Sequence, residues 1–201
     1  MTIATHPNLN ALPEQRLILP IALTWKQFKT LDTWLEHTRS VRISYLDGCV
    51  EFMTISPDRE TFKCLLAGML VTFFVEKDLS FTPTGSATIK EEENDSSKEP
   101  DLSYRFGENR RQREHPDLVI EIIFTSGNTK KLEYYRRFNI AEVWFWEDGV
   151  FSIYQLKPEG YEQVSHSILL PDLDMVLLNR CLQMSEEKEA LKAFRNAIRV
   201  D

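Results

Sequence analysis

The chain has 201 residues, of which 42% are hydrophobic and 27% are charged, an ordinary composition for a globular protein with one sizeable core. Its formal net charge of −7 argues against the broad positive surface of a dedicated nucleic-acid-binding protein. Two basic segments, residues 105–113 and 130–137, nevertheless permit a phosphate-bearing substrate.

The start of the chain and its cysteines indicate the cellular setting. The first residues lack a secretory pattern, and no stretch approaches the roughly 18 apolar residues of a membrane span. We therefore expect a cytoplasmic protein with no membrane partner. Cys49, Cys64 and Cys181 are odd in number and lack the spacing of a metal site, so we expect three reduced thiols that fill the core.

Three elements are predicted in the first part of the chain. A helix begins near Thr24, because apolar residues recur after it at helical spacing. Asp47-Gly48 separates two apolar runs and predicts a hairpin. A long helix follows, with Ser56 as its cap and Pro57 at its first position.

The middle of the chain predicts a strand-rich region. Residues 91–99 are expected to form an exposed acidic loop that leads to a strand starting near Pro100. Residues 116–123 are nearly all apolar and predict a buried central strand. A helix over residues 127–140 and a strand over residues 141–148 follow.

The last part of the chain predicts a hairpin with its turn at residues 158–160 and a closing helix capped by Ser185. Together these elements predict an α/β (α+β) fold, with a central mixed β-sheet flanked by helices and with added hairpins. We expect residues 1–20 to be an N-terminal extension and residues 21–201 to be a single domain.

Carboxylates stand at unusual places in this pattern. Asp101 and Asp117 each follow a proline at a strand start, and Glu121 lies inside the apolar strand. A buried carboxylate is costly unless a partner charge or a metal compensates it. If the Asp101 strand is the antiparallel neighbour, Asp101 and Glu121 approach each other, and an oxygen-rich site of this kind suits Mg²⁺ or Mn²⁺.

A metal site of this type also needs a cationic group that stabilises charge on a phosphate. Lys131 lies early in the helix after the Glu121 strand, with Lys130 as its competitor. Structural alternatives remain for each residue. Asp101 and Asp117 could cap strand starts, Glu121 could form a structural ion pair, and Lys131 could be solvated.

These residues resemble the PD-(D/E)XK nuclease superfamily, which has a strand opening with Pro-Asp, a neighbouring strand with glutamate, and a nearby lysine. More narrowly, the chain resembles the Uma-two (Uma2) family of restriction-endonuclease-like proteins, which is abundant in cyanobacteria. The most specific segment is "KLEYYRRFNIAEVWFWED", where Lys131, Tyr135, Glu142 and Trp144 match the family pattern. The resemblance implies a restriction-endonuclease-like core that hydrolyses phosphodiester bonds, with DNA as the expected nucleic acid.

The resemblance also implies roles for three residues, with Asp101 and Glu121 as catalytic metal ligands and Lys131 as the basic catalytic residue. The sequence departs from the superfamily at Ile123, where the strand lysine would stand, so the basic role has moved to the helix or has been lost. Arg59 and Glu60 occupy the region where the family often has a histidine, and Glu60 could contribute through water.

Three functions therefore stay open from the sequence. The first is a metal-dependent endonuclease, and the second is a nuclease-like fold that has lost catalysis and serves as a binding or regulatory module. The third, an unrelated hydrolase that uses two carboxylates without metal, has no further support in the chain. We also expect a homodimer, because one small domain offers little surface for duplex DNA.

Overall fold

The structure is a computed structural model that describes residues 15–35, 41–124 and 129–199, without the side chains of residues 129 and 130. The helices are α1 (Trp25–Leu35), α2 (Pro57–Glu76), α3 (Thr129–Arg137), α4 (Met175–Leu182) and α5 (Glu187–Ile198). The strands are β1 (Arg16–Ile18), β2 (Val41–Leu46), β3 (Cys49–Thr54), β4 (Phe81–Pro83), β5 (Ile89–Glu91), β6 (Ser96–Lys98), β7 (Leu102–Phe106), β8 (Leu118–Ile123), β9 (Glu142–Glu147), β10 (Val150–Lys157) and β11 (Gly160–Val164).

Within the described residues, the strands form two sheets. The larger sheet has the order β11-β10-β9-β8-β7-β4, and it is mixed because β8 and β9 are parallel while the other neighbours are antiparallel. The smaller sheet, β1-β3-β2-β6-β5, is antiparallel. The predicted α/β fold with a mixed sheet, flanking helices and added hairpins is confirmed. The domain boundary at residue 20 stays a prediction, and β1 on its N-terminal side pairs with β3.

Strand β8 is buried on both of its faces. Leu118 and Ile120 belong to the core cluster that includes residues of α2, α4 and α5. Val119 and Ile123 belong to a second cluster, formed mainly with α3 and β9. The predicted buried central strand is therefore confirmed, and any charged side chain on β8 needs a partner because water is excluded from both faces.

Local sequence signals fix two of the elements that flank the site. Asp47 and Gly48 have φ values of 47° and 82°, which are typical of the tight turn between twisted strands, and they join β2 to β3 as predicted. The Ser56 hydroxyl accepts a hydrogen bond from the Arg59 N–H at 3.3 Å, and Pro57 opens α2, also as predicted. The cap fixes the first turn of α2, which carries Arg59 inward.

The expected exposed loop over residues 91–99 is wrong in its second half. Residues 96–98 form β6, whose three residues are all buried, and Ser97 lies opposite Tyr45 of β2. Serine and lysine favour strands weakly, so pairing with β2 overrides the local preference. As a result, Lys98 lies inside the protein.

The prediction of three free thiols is confirmed, but two smaller predictions, the core burial of Cys49 and Cys64 and the Ser185 cap, are wrong, and one helix was not predicted. Cys49 and Cys64 are exposed, while Cys181 is buried, and all three are free thiols. The N-cap of α5 is Glu186, which makes no side-chain capping bond, and not Ser185. Helix α4 had no predicted counterpart, although Asp174 caps it through the N–H groups of its second and third residues at 2.8 and 2.9 Å. None of the described helices combines the length and apolar character that a membrane span requires.

Glu142 is a fully buried carboxylate at the start of β9. Its Oε1 accepts hydrogen bonds from Trp144 Nε1 and Ser167 Oγ, both at 2.5 Å. Its Oε2 accepts a hydrogen bond from the Ile168 N–H at 2.9 Å. Glu142 therefore ties the large sheet to the segment that follows β11, which is a structural role.

We predict that Glu142→Ala lowers the free energy of unfolding by about 2–4 kcal/mol, because three donors, two of them buried, lose their acceptor. Glu142→Gln keeps one acceptor oxygen and should cost less. Denaturant unfolding of both variants measures the difference. An alanine variant as stable as the wild type would contradict the assigned role.

Candidate active site

The end of the β7–β8 pair brings Asp101 next to Glu121. Leu102 at the start of β7 lies opposite Ile120 of β8 in an antiparallel register, so the condition for Asp101 to approach Glu121 is met. Asp101 precedes Leu102, and its Oδ2 accepts a hydrogen bond from the Ile122 N–H at 2.7 Å. The Asp101 carboxylate is thus fixed on the backbone beside Glu121.

Asp101 is completely buried and is bound by two arginines. Nη1 of Arg59 lies 2.9 Å from Oδ2 and 3.0 Å from Oδ1, and Nη1 of Arg42 donates to Oδ1. Arg59 comes from the capped turn of α2 and Arg42 from β2. Two guanidinium groups and one backbone N–H therefore occupy both oxygens of this carboxylate.

Arg42 is shared by further carboxylates. Its Nε lies 3.0 Å from Glu99 Oε1, and its Nη2 lies 3.6 Å from Glu60 Oε1. Burial lowers the pKa of Arg42, but the charges of Asp101 and Glu99 outweigh it, so the pKa is raised. Burial also raises the pKa of Glu99, against the opposing effect of Arg42.

Glu121 has a separate set of partners. Lys131 Nζ lies 2.9 Å from Oε2, Tyr135 Oη donates to Oε1, and Lys98 Nζ lies 3.7 Å from Oε1. Burial raises the pKa of Glu121, but the two lysines and the Tyr135 hydrogen bond lower it well below its ordinary value. Burial lowers the pKa of Lys98, while Glu121 acts against this shift.

The pattern of the sequence segment after β8 follows from this geometry. Lys131 and Tyr135 are four residues apart on α3, so they share one helix face, and both contact Glu121. Glu142 and Trp144 contact each other through a hydrogen bond. Three hydrogen bonds therefore account for the four residues, two at the site and one in the sheet that supports it.

A model of the family described as "Uma2: Putative restriction endonuclease" matches residues 25–188 of the chain. The chain belongs to the Uma2 family. A search of curated proteins found no match. Membership in this restriction-endonuclease-like family supports a nuclease-type function and the binding of nucleic acid.

The predicted site residues are Asp101, Glu121 and Lys131, and all three are buried. Lys131 contacts Glu121 directly, whereas Asp101 reaches the strand through the backbone N–H of Ile122, the residue after Glu121. The side chain of Lys130, the competing lysine, lies outside the described residues. Asp117 accepts hydrogen bonds from the Phe106 N–H at 2.7 Å and from Arg113, so it holds the far end of the strand pair, as its structural alternative proposed.

Sequence reasoning missed the basic residues that compensate the carboxylates. Arg42 and Ser44 lie on one face of β2, and this polar face would ordinarily be assigned to solvent. Lys98 lay in the segment predicted as an exposed loop, where its Nζ in fact donates to Ser44 Oγ at 3.2 Å. The available signal was the uncompensated charge of two buried carboxylates, which requires cations of some kind.

The oxygen-rich chemistry of the site suits Mg²⁺ or Mn²⁺, but the arrangement as it stands does not fit a bound divalent ion. Both oxygens of Asp101 are engaged by arginines and a backbone N–H. Both oxygens of Glu121 are engaged by Lys131 and Tyr135. Among the described residues, no three His, Cys, Asp or Glu side chains are placed to hold a metal. A shared metal between Asp101 and Glu121 stays a prediction that requires these contacts to change.

We predict that Glu121→Gln makes stability less sensitive to acid. Because the folded pKa of Glu121 lies below its unfolded value, its ionised form stabilises the protein at neutral pH, and this contribution is lost as pH falls below about 5. The free energy of unfolding of the wild type should therefore fall more steeply with decreasing pH than that of Glu121→Gln.

The measurement is denaturant unfolding at a series of pH values between about 6 and 3. Glu93→Gln, which removes an exposed carboxylate, is the matched control and should follow the wild type. Equal slopes for the wild type and Glu121→Gln would contradict the assigned ion pairs.

Proposed function

We propose that this Uma2 protein is an endonuclease that hydrolyses phosphodiester bonds of nucleic acid, with DNA as its substrate. The observation that carries the proposal is the Lys131–Glu121 pair, in which Nζ lies 2.9 Å from the carboxylate beside Asp101. This contact supports a role for Lys131, since the strand position that carries the lysine in the superfamily is Ile123 here. The basic role is therefore assigned to α3.

In this proposal, Glu121 orients Lys131, and Lys131 stabilises negative charge on the phosphate as the bond breaks. Tyr135 holds the other oxygen of Glu121 and so limits the positions that the carboxylate can take. Mg²⁺ or Mn²⁺ is the proposed cofactor, with Asp101 and Glu121 as its predicted ligands. A homodimer that presents two sites to a duplex is part of the same proposal.

A second candidate function is a nucleic-acid-binding or regulatory module without cleavage. It is favoured by the two arginines on Asp101, which neutralise the carboxylate that would otherwise attract a metal. Such a module would keep the positive groups that bind phosphate and would lose the metal chemistry. The two candidates differ in cleavage and agree in binding.

Cleavage of supercoiled plasmid with Mg²⁺, with Mn²⁺ or with a chelator tests the proposal. We predict metal-dependent nicking by the wild type and a loss of about 10²–10³-fold in rate for Lys131→Met, because one stabilising group of the transition state is removed. DNA binding in the presence of chelator should change only a few-fold. Lys192→Met, which removes a lysine on α5 that is 57% exposed, is the matched control.

Two other outcomes have defined meanings. DNA binding without cleavage under any of these metal conditions would reject the endonuclease and support the binding module. Neither binding nor cleavage would reject a nucleic-acid substrate altogether. Full activity of Lys131→Met would reject the role of the helix lysine.

A further inference from the structure

Phe124 is an exposed aromatic side chain at the end of the strand that carries Glu121. It directly follows β8, whose six residues are all buried, and it is 43% exposed. Among the described residues, Trp34 of α1 is the other exposed Phe, Tyr or Trp side chain. A single exposed apolar residue is ordinary on a protein surface, so the surroundings of Phe124 decide what the ring can do.

Two aromatic rings hold Phe124 in place. The ring centroids of Phe62 from α2 and Trp146 from β9 lie 6.4 and 5.9 Å from that of Phe124, and both rings are at 77° to it. Phe62 and Trp146 also contact each other, with centroids 4.1 Å apart. Neither of these two neighbours stacks parallel on Phe124. The ring is therefore supported while part of it stays open to solvent, so little conformational freedom is lost when a flat group binds there.

The Phe124 ring also lies beside the buried ion pairs of the candidate site. The guanidinium carbon of Arg59 lies over the ring, 6.0 Å from its centroid, and the same guanidinium binds Asp101. Phe124 is three residues after Glu121, so their Cα atoms are at most about 11 Å apart. That distance is about three nucleotides of a DNA strand at its helical rise. A strand with a phosphate at Lys131 would therefore bring a base within reach of Phe124.

We propose that Phe124 is the surface on which an unpaired base of the bound nucleic acid stacks. Arg59 occupies one side of the ring, and the base takes the side that is open to solvent. The inference rests on the proposed nucleic-acid function. It adds a residue that contacts a base, and it specifies the substrate class as nucleic acid with an unpaired nucleotide at the site.

The net charge of the chain favours a contact of this kind. At −7, the protein lacks a broad electrostatic attraction to phosphates, whereas a base that stacks on an aromatic ring contributes to binding without charge. Every base has a flat π-face, so the contact requires no particular sequence. In a fully paired duplex the base is already stacked between its neighbours, and its extrusion costs free energy. An unpaired base is therefore the preferred occupant.

Fluorescence anisotropy with two labelled single strands of equal length tests the contact, in the presence of a chelator that prevents metal-dependent cleavage. One strand is oligothymidine, and the other consists of abasic residues and keeps the same phosphates. We expect the wild type to bind oligothymidine about tenfold tighter than the abasic strand, within the range that one stacked base contributes. Phe124→Leu, which keeps an apolar side chain against Phe62 and Trp146, should lose this preference and bind the abasic strand as the wild type does.

Phe124→Trp and Trp34→Leu are the matched controls. Phe124→Trp keeps an aromatic face and should retain the preference for oligothymidine. Trp34→Leu removes the other exposed ring, on the helix that packs against the small sheet, and should follow the wild type with both strands. A preference that persists in Phe124→Leu, or an equal loss of affinity for both strands in that variant, would overturn the proposal.

The wild type alone provides a second test if Phe124→Leu does not fold. A duplex with one unpaired thymidine should bind about tenfold tighter than the fully paired duplex, because no base has to be extruded. Replacement of that thymidine by an abasic residue should remove the gain. Equal affinity of the wild type for all three duplexes would overturn the proposal.

These outcomes separate the base contact from the proposed endonuclease. Metal-dependent nicking of plasmid without any preference for bases would keep the endonuclease and reject the base contact. A preference for bases that is lost in Phe124→Leu, without nicking, would keep the base contact and support the binding module. Binding of none of these strands would reject nucleic acid as the substrate and, with it, the role of Phe124.

Discussion

Burial of Asp101 and Glu121 is the constraint on which this structure depends. Two ionised carboxylates beside a strand covered on both faces are too costly to leave uncompensated. Four buried basic side chains compensate the two carboxylates. Two of them lie in the small sheet, and two lie in helices that flank the large sheet. These are Arg42 of β2, Arg59 of α2, Lys98 of β6 and Lys131 of α3. The ion pairs thereby connect the small sheet to the large one at the site.

The same contacts determine what the site can do. The proposed endonuclease would need carboxylates that attract a cation and a lysine that faces phosphate. Here Lys131 is in place on Glu121, while Asp101 is neutralised by arginines. In the described arrangement, both oxygens of Asp101 are therefore already engaged by protein groups.

The sequence predicted the fold well where local signals and burial agree. Asp47-Gly48, the Ser56 cap and the apolar run of β8 each specify an element that the structure contains. It also predicted that Glu121 needs a partner, since a glutamate in an apolar strand is a strong signal. It could not predict which partner, because Arg42 is 59 residues from Asp101 in the chain. Lys98 was missed because β6 forms through pairing with β2 and not through its own propensity.

The central claim is that buried arginines hold Asp101, and a double-mutant cycle of Asp101→Asn with Arg59→Gln tests it most directly. The free energies of unfolding of the wild type, both single variants and the double variant give the coupling between the two side chains. The account predicts that each single change is strongly destabilising and that the coupling energy is about 2–4 kcal/mol, because removing one partner leaves the other charge buried. A coupling energy within about 0.5 kcal/mol of zero, the additivity expected for independent sites, would contradict it.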